Sequence, residues 1–334
     1  MFDIRRREFI TLLSGAAAAL PLAARAQQQE PMRRIAWLGA GHEPSPYLDS
    51  LREGLHELGW AEGRNLVINL FWATGLDNVE AVARELLASN PEVIVAQEFT
   101  VLALRSLKTA KPVVVGFSGD PLDANLVQSW ARPGGNFTGM SYMAIELVGK
   151  RIELLKDWLP QTRRIAVLAR PQHPGEHLER KASEEAARKL GLELSYFPYT
   201  SQSFLPARDL SELEAAFRAI AQDRCDALVV FPDSAMYEIS DRIAQFALET
   251  KLPSVSGWSS FVNKGLLMTY GPNVRQLYRS LAGYVDRILL GTAPADLPFQ
   301  APTTLYLAIN RKTAKALGLE VPPTLLARAD ELIE

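Results

Sequence analysis

Cysteine is almost absent. Cys225 is the only one in 334 residues, so no intrachain disulfide can form and a small disulfide-stapled scaffold is excluded. An excess of charge of one sign is also missing. Thirty-six Lys and Arg stand against thirty-eight Asp and Glu, a formal net charge of −2. No basic surplus exists to neutralise a phosphate backbone, which argues against a nucleic-acid partner. Beyond the first two dozen residues no apolar run reaches 18, so nothing later reads as a membrane span. Low-complexity tracts and short-period repeats are lacking too. With 22% charged and 48% hydrophobic residues, the chain is neither disordered nor fibrous. What is there is a globular sequence long enough for two domains of roughly 150 residues, with a core that needs no metal or disulfide staple.

The first 26 residues read as an export signal. Arg5-Arg6-Arg7 precede an apolar run from Phe9 to Leu22, and Ala24-Arg25-Ala26 offers the small-x-small pattern of a cleavage site. The run is shorter than the roughly 20 residues a spanning helix needs. Arg6-Arg7-Glu8-Phe9 and the Ala-rich stretch after it favour the twin-arginine route over an ordinary secretory one. Cleavage after Ala26 removes four arginines, Asp3 and Glu8, and takes the net charge from −2 to −4. The mature product is expected in the periplasm, as a protein that is not itself membrane-embedded.

After the signal, short β-branched runs alternate with amphipathic segments. The expected strands are Arg34 to Gly39, Leu66 to Trp72, Val93 to Ala96, Val113 to Phe117, Phe137 to Tyr142, Ile165 to Ala169, Leu192 to Phe197, Ala227 to Phe231, a short one near Ser254, Leu267 to Tyr270 and Leu305 to Ile309. Between them the spacing predicts helices at Leu48 to Leu58, Val79 to Ala88 with Asp77 as cap, Val101 to Thr109, Ile145 to Trp158, Glu176 to Leu190, Leu210 to Ile220, Ala235 to Thr250, Val274 to Leu290 and Lys312 to Leu317. Alternation of this kind means mostly parallel sheets covered by helices on both faces. The series restarts after the Gly-rich stretch near 134–141. The fold class is therefore α/β, with two doubly wound, Rossmann-like lobes.

Catalytic motifs are sparse. Gly39-Ala40-Gly41 follows a strand, but Pro44 stands at the third glycine position, and the strand ending at Trp72 carries no terminal acid for a ribose hydroxyl. His173-Pro174-Gly175-Glu176-His177 spells an inverted zinc-peptidase motif. Pro174 and Gly175 break the helical turn that would bring both histidines to one face. No nucleophile elbow and no phosphate-binding G-x-x-x-x-G-K-[ST] is found, and Cys225 reads as a packed residue. The chain is read as a non-enzyme with no catalytic residues, no cofactor and no metal.

Ligands of open α/β sheets bind beyond the carboxyl ends of the strands. The segments leaving those ends supply Glu43, Gln97, Glu98, Thr100, Ser118, Asp120, Arg170, Asp233, Ser234 and Trp258. Two lobes facing each other would hold a small polar solute with an apolar part among them. Thr100 and Ser234 each start a helix whose N–H groups suit a carboxylate. Asp120 or Glu43 is placed to pair with an ammonium group, and Trp258 to cover a ring or alkyl chain.

Five stretches carry a resemblance: D-S-L-R-E-G-L-H-E-L-G-W-A-E-G-R-N-L-V-I (49–68), G-D-P-L-D-A-N-L-V-Q-S-W-A-R-P-G-G-N-F-T-G-M-S (119–141), L-M-T-Y-G-P-N (267–273), Y-V-D-R-I-L-L-G-T-A-P-A-D-L-P (284–298) and A-I-N-R-K-T-A-K-A-L-G-L-E-V-P-P-T-L-L-A-R-A-D-E-L-I (308–333). Over nearly the whole mature chain the sequence resembles the substrate-binding proteins of ABC transporters, in the branch that includes tryptophan- and phenylalanine-binding members. The resemblance implies a periplasmic-binding-protein type I fold with a hinge of crossing strands near 139–143, 268–273 and 297–304. One lobe would comprise 27–141 plus 271–300, the other 142–270 plus 301–334. It further implies a monomer that takes a small-molecule solute between its lobes and hands it to an ABC permease in the inner membrane. Gln97-Glu98-Phe99-Thr100 departs from a family stretch that is usually small and Gly-Thr-Pro-like, so what carries over is a small solute, with an amino acid as one candidate class. The alternative is a ligand-sensing module presenting the same cleft to a membrane receptor.

Overall fold

The computed structural model describes residues 32–204 and 210–334; the expected export signal lies outside them. In chain order the first part contains β1 (Arg33–Ala40), α1 (Pro46–Glu57), β2 (Leu66–Ala73), α2 (Val79–Ala88), β3 (Val93–Gln97), α3 (Phe99–Ser106), β4 (Val113–Phe117) and β5 (Phe137–Ser141). The second runs through α4 (Ala144–Trp158), β6 (Arg164–Ala169), α5 (Glu176–Lys189), β7 (Glu193–Pro198), α6 (Ser211–Asp223), β8 (Ala227–Val230), α7 (Ser234–Glu238), α8 (Ser240–Glu249), β9 (Ser254–Ser256), α9 (Ser260–Asn263) and β10 (Met268–Gly271). Then follow α10 (Val274–Leu289), β11 (Tyr306–Asn310), α11 (Arg311–Leu317), α12 (Pro323–Leu326) and β12 (Glu331–Ile333).

The strands form two sheets, ordered β2-β1-β3-β4-β5 and β12-β11-β10-β9-β8-β6-β7. All pairs are parallel except β10 with β11. Each lobe thus has one strand order, with a switch point between its first and third strands, β1/β3 in one and β6/β8 in the other. Doubly wound sheets bind ligands at that point.

Side-chain alternation builds three apolar layers. Ile35 and Trp37 of β1 face one side, into a core that continues across to Ala166 and Leu168 of β6. Ala36 and Leu38 face the other, with α2 and α3. Ile165, Val167 and Ala169 turn from β6 toward α4 and α5. The layer that spans both lobes is rich in aromatics: Tyr47 stacks on Tyr278 and stands edge-on to Trp258, which also meets Tyr142 edge-on.

The chain passes between lobes at 141–144, 271–274 and 300–306. Here the Gln300 N–H donates to the Gly139 carbonyl (2.9 Å) and the Ser141 N–H to the Gln300 carbonyl (2.8 Å). Gly139, at φ +148°, has its Cα so close to β4 that a Cβ would lie 2.0 Å from the Val115 carbonyl oxygen. After the second crossing α10 returns to the first sheet and packs on α1, where the Trp60 indole donates to Asp286 (2.9 Å) and a Cβ on Gly54 would lie 2.4 Å from the Arg279 carbonyl oxygen.

Three expectations need correction. The helix over Ala235 to Thr250 is two helices, α7 and α8, broken at Ile239. Asp77 does not cap α2. Asn78 occupies that position and turns its side-chain Oδ1 back to accept from the N–H groups of Thr74 and Gly75, leaving the helix without a side-chain cap. Leu58 ends α1 as an exposed residue, because the helix stops at Glu57 before its apolar stripe completes another turn. The short α9, α12 and β12 carry too few residues for any period to register.

Candidate ligand site between the lobes

The carboxyl ends of β3 and β4 face those of β6 and β8 across the lobe boundary. Glu98 leaves β3 with φ +51° and ψ −123°, a backbone region that side chains rarely occupy, and opens α3. Its carboxylate is fully buried. Glu98 Oε2 accepts a hydrogen bond from Ser118 Oγ, just past β4, at 2.5 Å. The same hydroxyl lies 2.8 Å from His173 Nε2, just past β6 in the other lobe. A hydroxyl has one hydrogen. With that hydrogen on Glu98, Nε2 is the donor of the second bond and Nδ1 is left as an acceptor. His173 is held neutral: burial pushes its pKa down to about 4, with the charge of Asp233 pulling it up and those of Arg170 and Arg151 pushing it down. Burial also raises Glu98 well above the usual carboxylate range, the Ser118 hydrogen bond opposing it and the charges of Asp233 and Glu179 adding to it.

Arg170 leaves β6 fully buried. Its guanidinium lies 4.9 Å from the centre of the Phe99 ring in the opposite lobe and 5.6 Å from that of Phe204. Nη2 donates to the Ser201 carbonyl (2.6 Å), while Nη1 stands 3.7 Å from Asp233 Oδ1, an ion pair without a hydrogen bond. Asp233 leaves β8 and caps α7, Oδ1 accepting from the Met236 N–H at 2.7 Å. Behind this row, Arg151 of α4 pairs with Glu179 of α5 at 3.0 Å, and its Nε donates to the Tyr270 carbonyl of the crossing strand β10 (2.9 Å). Burial raises the Glu179 carboxyl to about 8 against the pull of Arg151.

Several buried polar atoms here have no hydrogen-bond partner: Glu98 Oε1, Arg170 Nε and Nη1, His173 Nδ1, Asp233 Oδ2, Ser234 Oγ and Trp258 Nε1. Native interiors leave few such groups, each costing on the order of 1–3 kcal/mol. Here all but Trp258, which follows β9, sit past the strand ends at the two switch points, and they include anionic acceptors and cationic donors.

Of the residues expected from sequence, Glu98, Ser118, Arg170, Asp233, Ser234 and Trp258 fall in this buried set. Gln97 is buried beside it, its Oε1 facing the Ala40 N–H at 3.4 Å. The other three do not join it. Glu43 is exposed and lies 3.9 Å from Arg52. Asp120 caps its own turn, Oδ1 accepting from the Leu122 N–H at 2.7 Å. Thr100 is buried, but its hydroxyl sits against the carbonyls of Leu38 and Gln97, tying β1 to β3. At the two helix starts expected to hold a carboxylate, the chain places acids of its own. Glu98 itself occupies the start of α3, and at α7 the Met236 N–H is taken by Asp233.

Sequence reasoning missed His173, Phe99 and Phe204. His173 had a signal, since it stands just beyond the end of β6. Phe204 had none. It is brought in by pairing between lobes, where the Phe204 N–H donates to the Thr74 carbonyl (2.8 Å), the Leu76 N–H donates to the Gln202 carbonyl (2.9 Å), and the ring stacks on Phe99 at 5.0 Å. His173 and His177 do not converge: His177 is exposed, 3.5 Å from Asp123. Among the described residues no group of three His, Cys, Asp or Glu could hold a metal ion, and no helix is long and apolar enough to cross a membrane.

The sequence profile of the family described as ABC transporter substrate binding protein matches residues 45–333. The chain belongs to that family. A "Tyrosine-binding protein" of Clostridioides difficile (strain R20291) is 24% identical over 283 residues, covering 82% of this chain and 78% of the relative. A conserved domain protein of Vibrio cholerae has the same fold, with a TM-score of 0.81 at 28% identity over 90% of this chain and 99% of that one. So has a Streptococcus pneumoniae ABC domain in complex with L-Trp, with a TM-score of 0.81 at 23% identity over 90% and 100% of the two chains. A ligand-free, open substrate binding protein of Clostridium difficile gives 0.65 at 21% identity over 90% and 99%. The architecture of this substrate-binding protein is therefore the periplasmic-binding-protein type I fold.

Proposed function

We propose that this protein is the periplasmic receptor of an ABC uptake system, and that a small polar solute of the amino-acid class is held between its lobes by Glu98, Ser118, Arg170, His173, Asp233, Ser234 and Trp258. The observation that carries this reading is the set of buried, unpartnered donors and acceptors where the two switch points face each other. A solute that is both anionic and cationic would satisfy Arg170 on one side and Asp233 on the other. The family's relatives bind L-Trp or are named for tyrosine, which supports the amino-acid class.

The lobes in this reading are 27–141 plus 271–300 and 142–270 plus 301–334, moving about the three crossings. The ligand shifts the population toward the closed form because only there does it touch both lobes. The closed monomer then docks on an inner-membrane permease. The first 26 residues serve export by the twin-arginine route. The protein turns nothing over: Ser118, the buried hydroxyl beside a histidine, has its hydrogen on Glu98, which leaves His173 a hydrogen-bond donor rather than a base toward it.

The test is small-angle scattering and intrinsic tryptophan fluorescence across a panel of amino acids and metabolites, with mass spectrometry of any solute released on denaturation. Compaction with at least one solute is expected. No response to any, and no released solute, would remove the receptor reading.

A further inference from the structure

Glu98 poses a problem that the receptor reading alone does not solve. It is a carboxylate at the start of an eight-residue helix, fully buried, held by a strained backbone, with one oxygen on Ser118 and the other on nothing. Among the described residues the only basic group within 4 Å is His173, at 3.7 Å, and that ring is neutral. Arg170, the next candidate, is engaged with Asp233, the Ser201 carbonyl and the Phe99 ring. Arg151 is engaged with Glu179. The chain therefore buries an acid without supplying its counter-charge; burial favours its neutral form, and a cation arriving beside Oε1 is what would let it ionise. Asp233 Oδ2 is a second free carboxylate oxygen in the same cluster, and Arg170 Nε and Nη1 are free donors.

Resting on the receptor reading, we infer that the solute carries two cationic nitrogens and one anionic group, as a basic amino acid does, with its second cation placed against Glu98 Oε1. A neutral aromatic amino acid has one ammonium group and would leave Glu98 or Asp233 unmet. The apolar walls suit the same class. Phe99 and Phe204 already lie against one guanidinium, so the rings beside Glu98 accept a flat cation.

Isothermal titration of the full-length mature protein, stripped of solute by unfolding and refolding, tests this. The probes are L-arginine, L-lysine and L-ornithine against L-citrulline, L-tyrosine and L-tryptophan. Citrulline matters most, since it keeps the shape of arginine and removes the charge. At least one basic amino acid should bind about a hundredfold tighter than citrulline, and Glu98→Gln should erase that preference. The citrulline comparison needs no variant, so it stands even if Glu98→Gln folds poorly. Equal binding of citrulline and arginine, or Glu98→Gln keeping its affinity within about threefold, would show a neutral group at Glu98 and overturn the inference. Tight, lobe-closing binding of tyrosine or tryptophan with none of the basic probes would overturn it while the receptor reading stood. Silence from every probe, with no solute released on denaturation, would remove both.

Discussion

Ser118 and His173 meet across the boundary between the lobes, hydroxyl oxygen to Nε2 at 2.8 Å, with neither side chain exposed. The contact reaches Glu98 through the same oxygen. Ser118→Ala should leave a buried carboxylate oxygen and a buried ring nitrogen both unpaired, but only when the lobes are closed. Each orphan costs about 1–3 kcal/mol. Ligand affinity is expected to fall about ten- to a hundredfold, with the unliganded scattering profile shifted toward the open form. An unchanged profile and affinity would mean the bond does not help hold the lobes together.

His173 sets a pH dependence. Its pKa falls from 6.5 in the unfolded chain to about 4 when folded, chiefly through burial. Below about pH 6.5 the unfolded chain takes up a proton that the folded ring refuses, so stability falls as pH drops from 6.5 toward 4. Glu98 works in the opposite direction, because its raised pKa lets the folded state accept a proton more readily. Comparing wild type with His173→Gln isolates the first effect. Between pH 7.5 and 5 the wild type should lose about 2 kcal/mol more than the variant. Parallel denaturation curves at the two pH values would contradict the buried, neutral ring.

The Arg151–Glu179 pair should be fragile to single changes. Both side chains are fully buried, 3.0 Å apart, and Arg151 lies so close to Gly257 that a Cβ there would be 2.5 Å from Nη2. Arg151→Met strands an acid in the interior and should cost about 3–5 kcal/mol, whereas Arg151→Met with Glu179→Leu should recover most of it. Chemical denaturation of the three variants gives the answer, and a double variant no better than the single one would show that the pair fixes geometry as well as charge.

Gly139 is predicted to be irreplaceable. Its φ of +148° already disfavours any side chain, and a Cβ would fall 2.0 Å from the Val115 carbonyl oxygen. Gly139→Ala must move β5 off β4 beside a lobe crossing, and a loss of more than about 4 kcal/mol is expected in thermal or denaturant unfolding. Retention of the wild-type midpoint would refute the close approach.

Cys225 should be inert. It is buried, its thiol donates to Asp223 (3.3 Å), and its pKa is pushed up to about 12, first by burial and then by that aspartate. At pH 8 a maleimide reagent should modify it only at the rate of unfolding. Rapid labelling of the native protein would expose the thiol after all.

The alternating apolar runs were enough to give both sheets, because a strand buried on both faces must be apolar, as β4 and β8 are throughout and β3 is up to Gln97. The same logic gave the long helices α1, α4 and α10, whose apolar residues recur at helical spacing. It also pointed to Glu98, Ser118, Arg170 and Asp233, since each directly follows a buried strand and such ends converge in doubly wound sheets. The sequence could not distinguish these from Glu43, Asp120 and Thr100, which also follow strands. What separates them is a partner: Arg52 for Glu43, a turn N–H for Asp120, and the carbonyls of Leu38 and Gln97 for Thr100. Only the assembled lobes decided that Glu98 would meet a histidine 75 residues away, that Arg170 would lie over Phe99, and that Phe204 would cross to the other lobe. Those contacts join strand ends from two separate sheets. No period or local spacing encodes them, because they depend on how one lobe sits against the other.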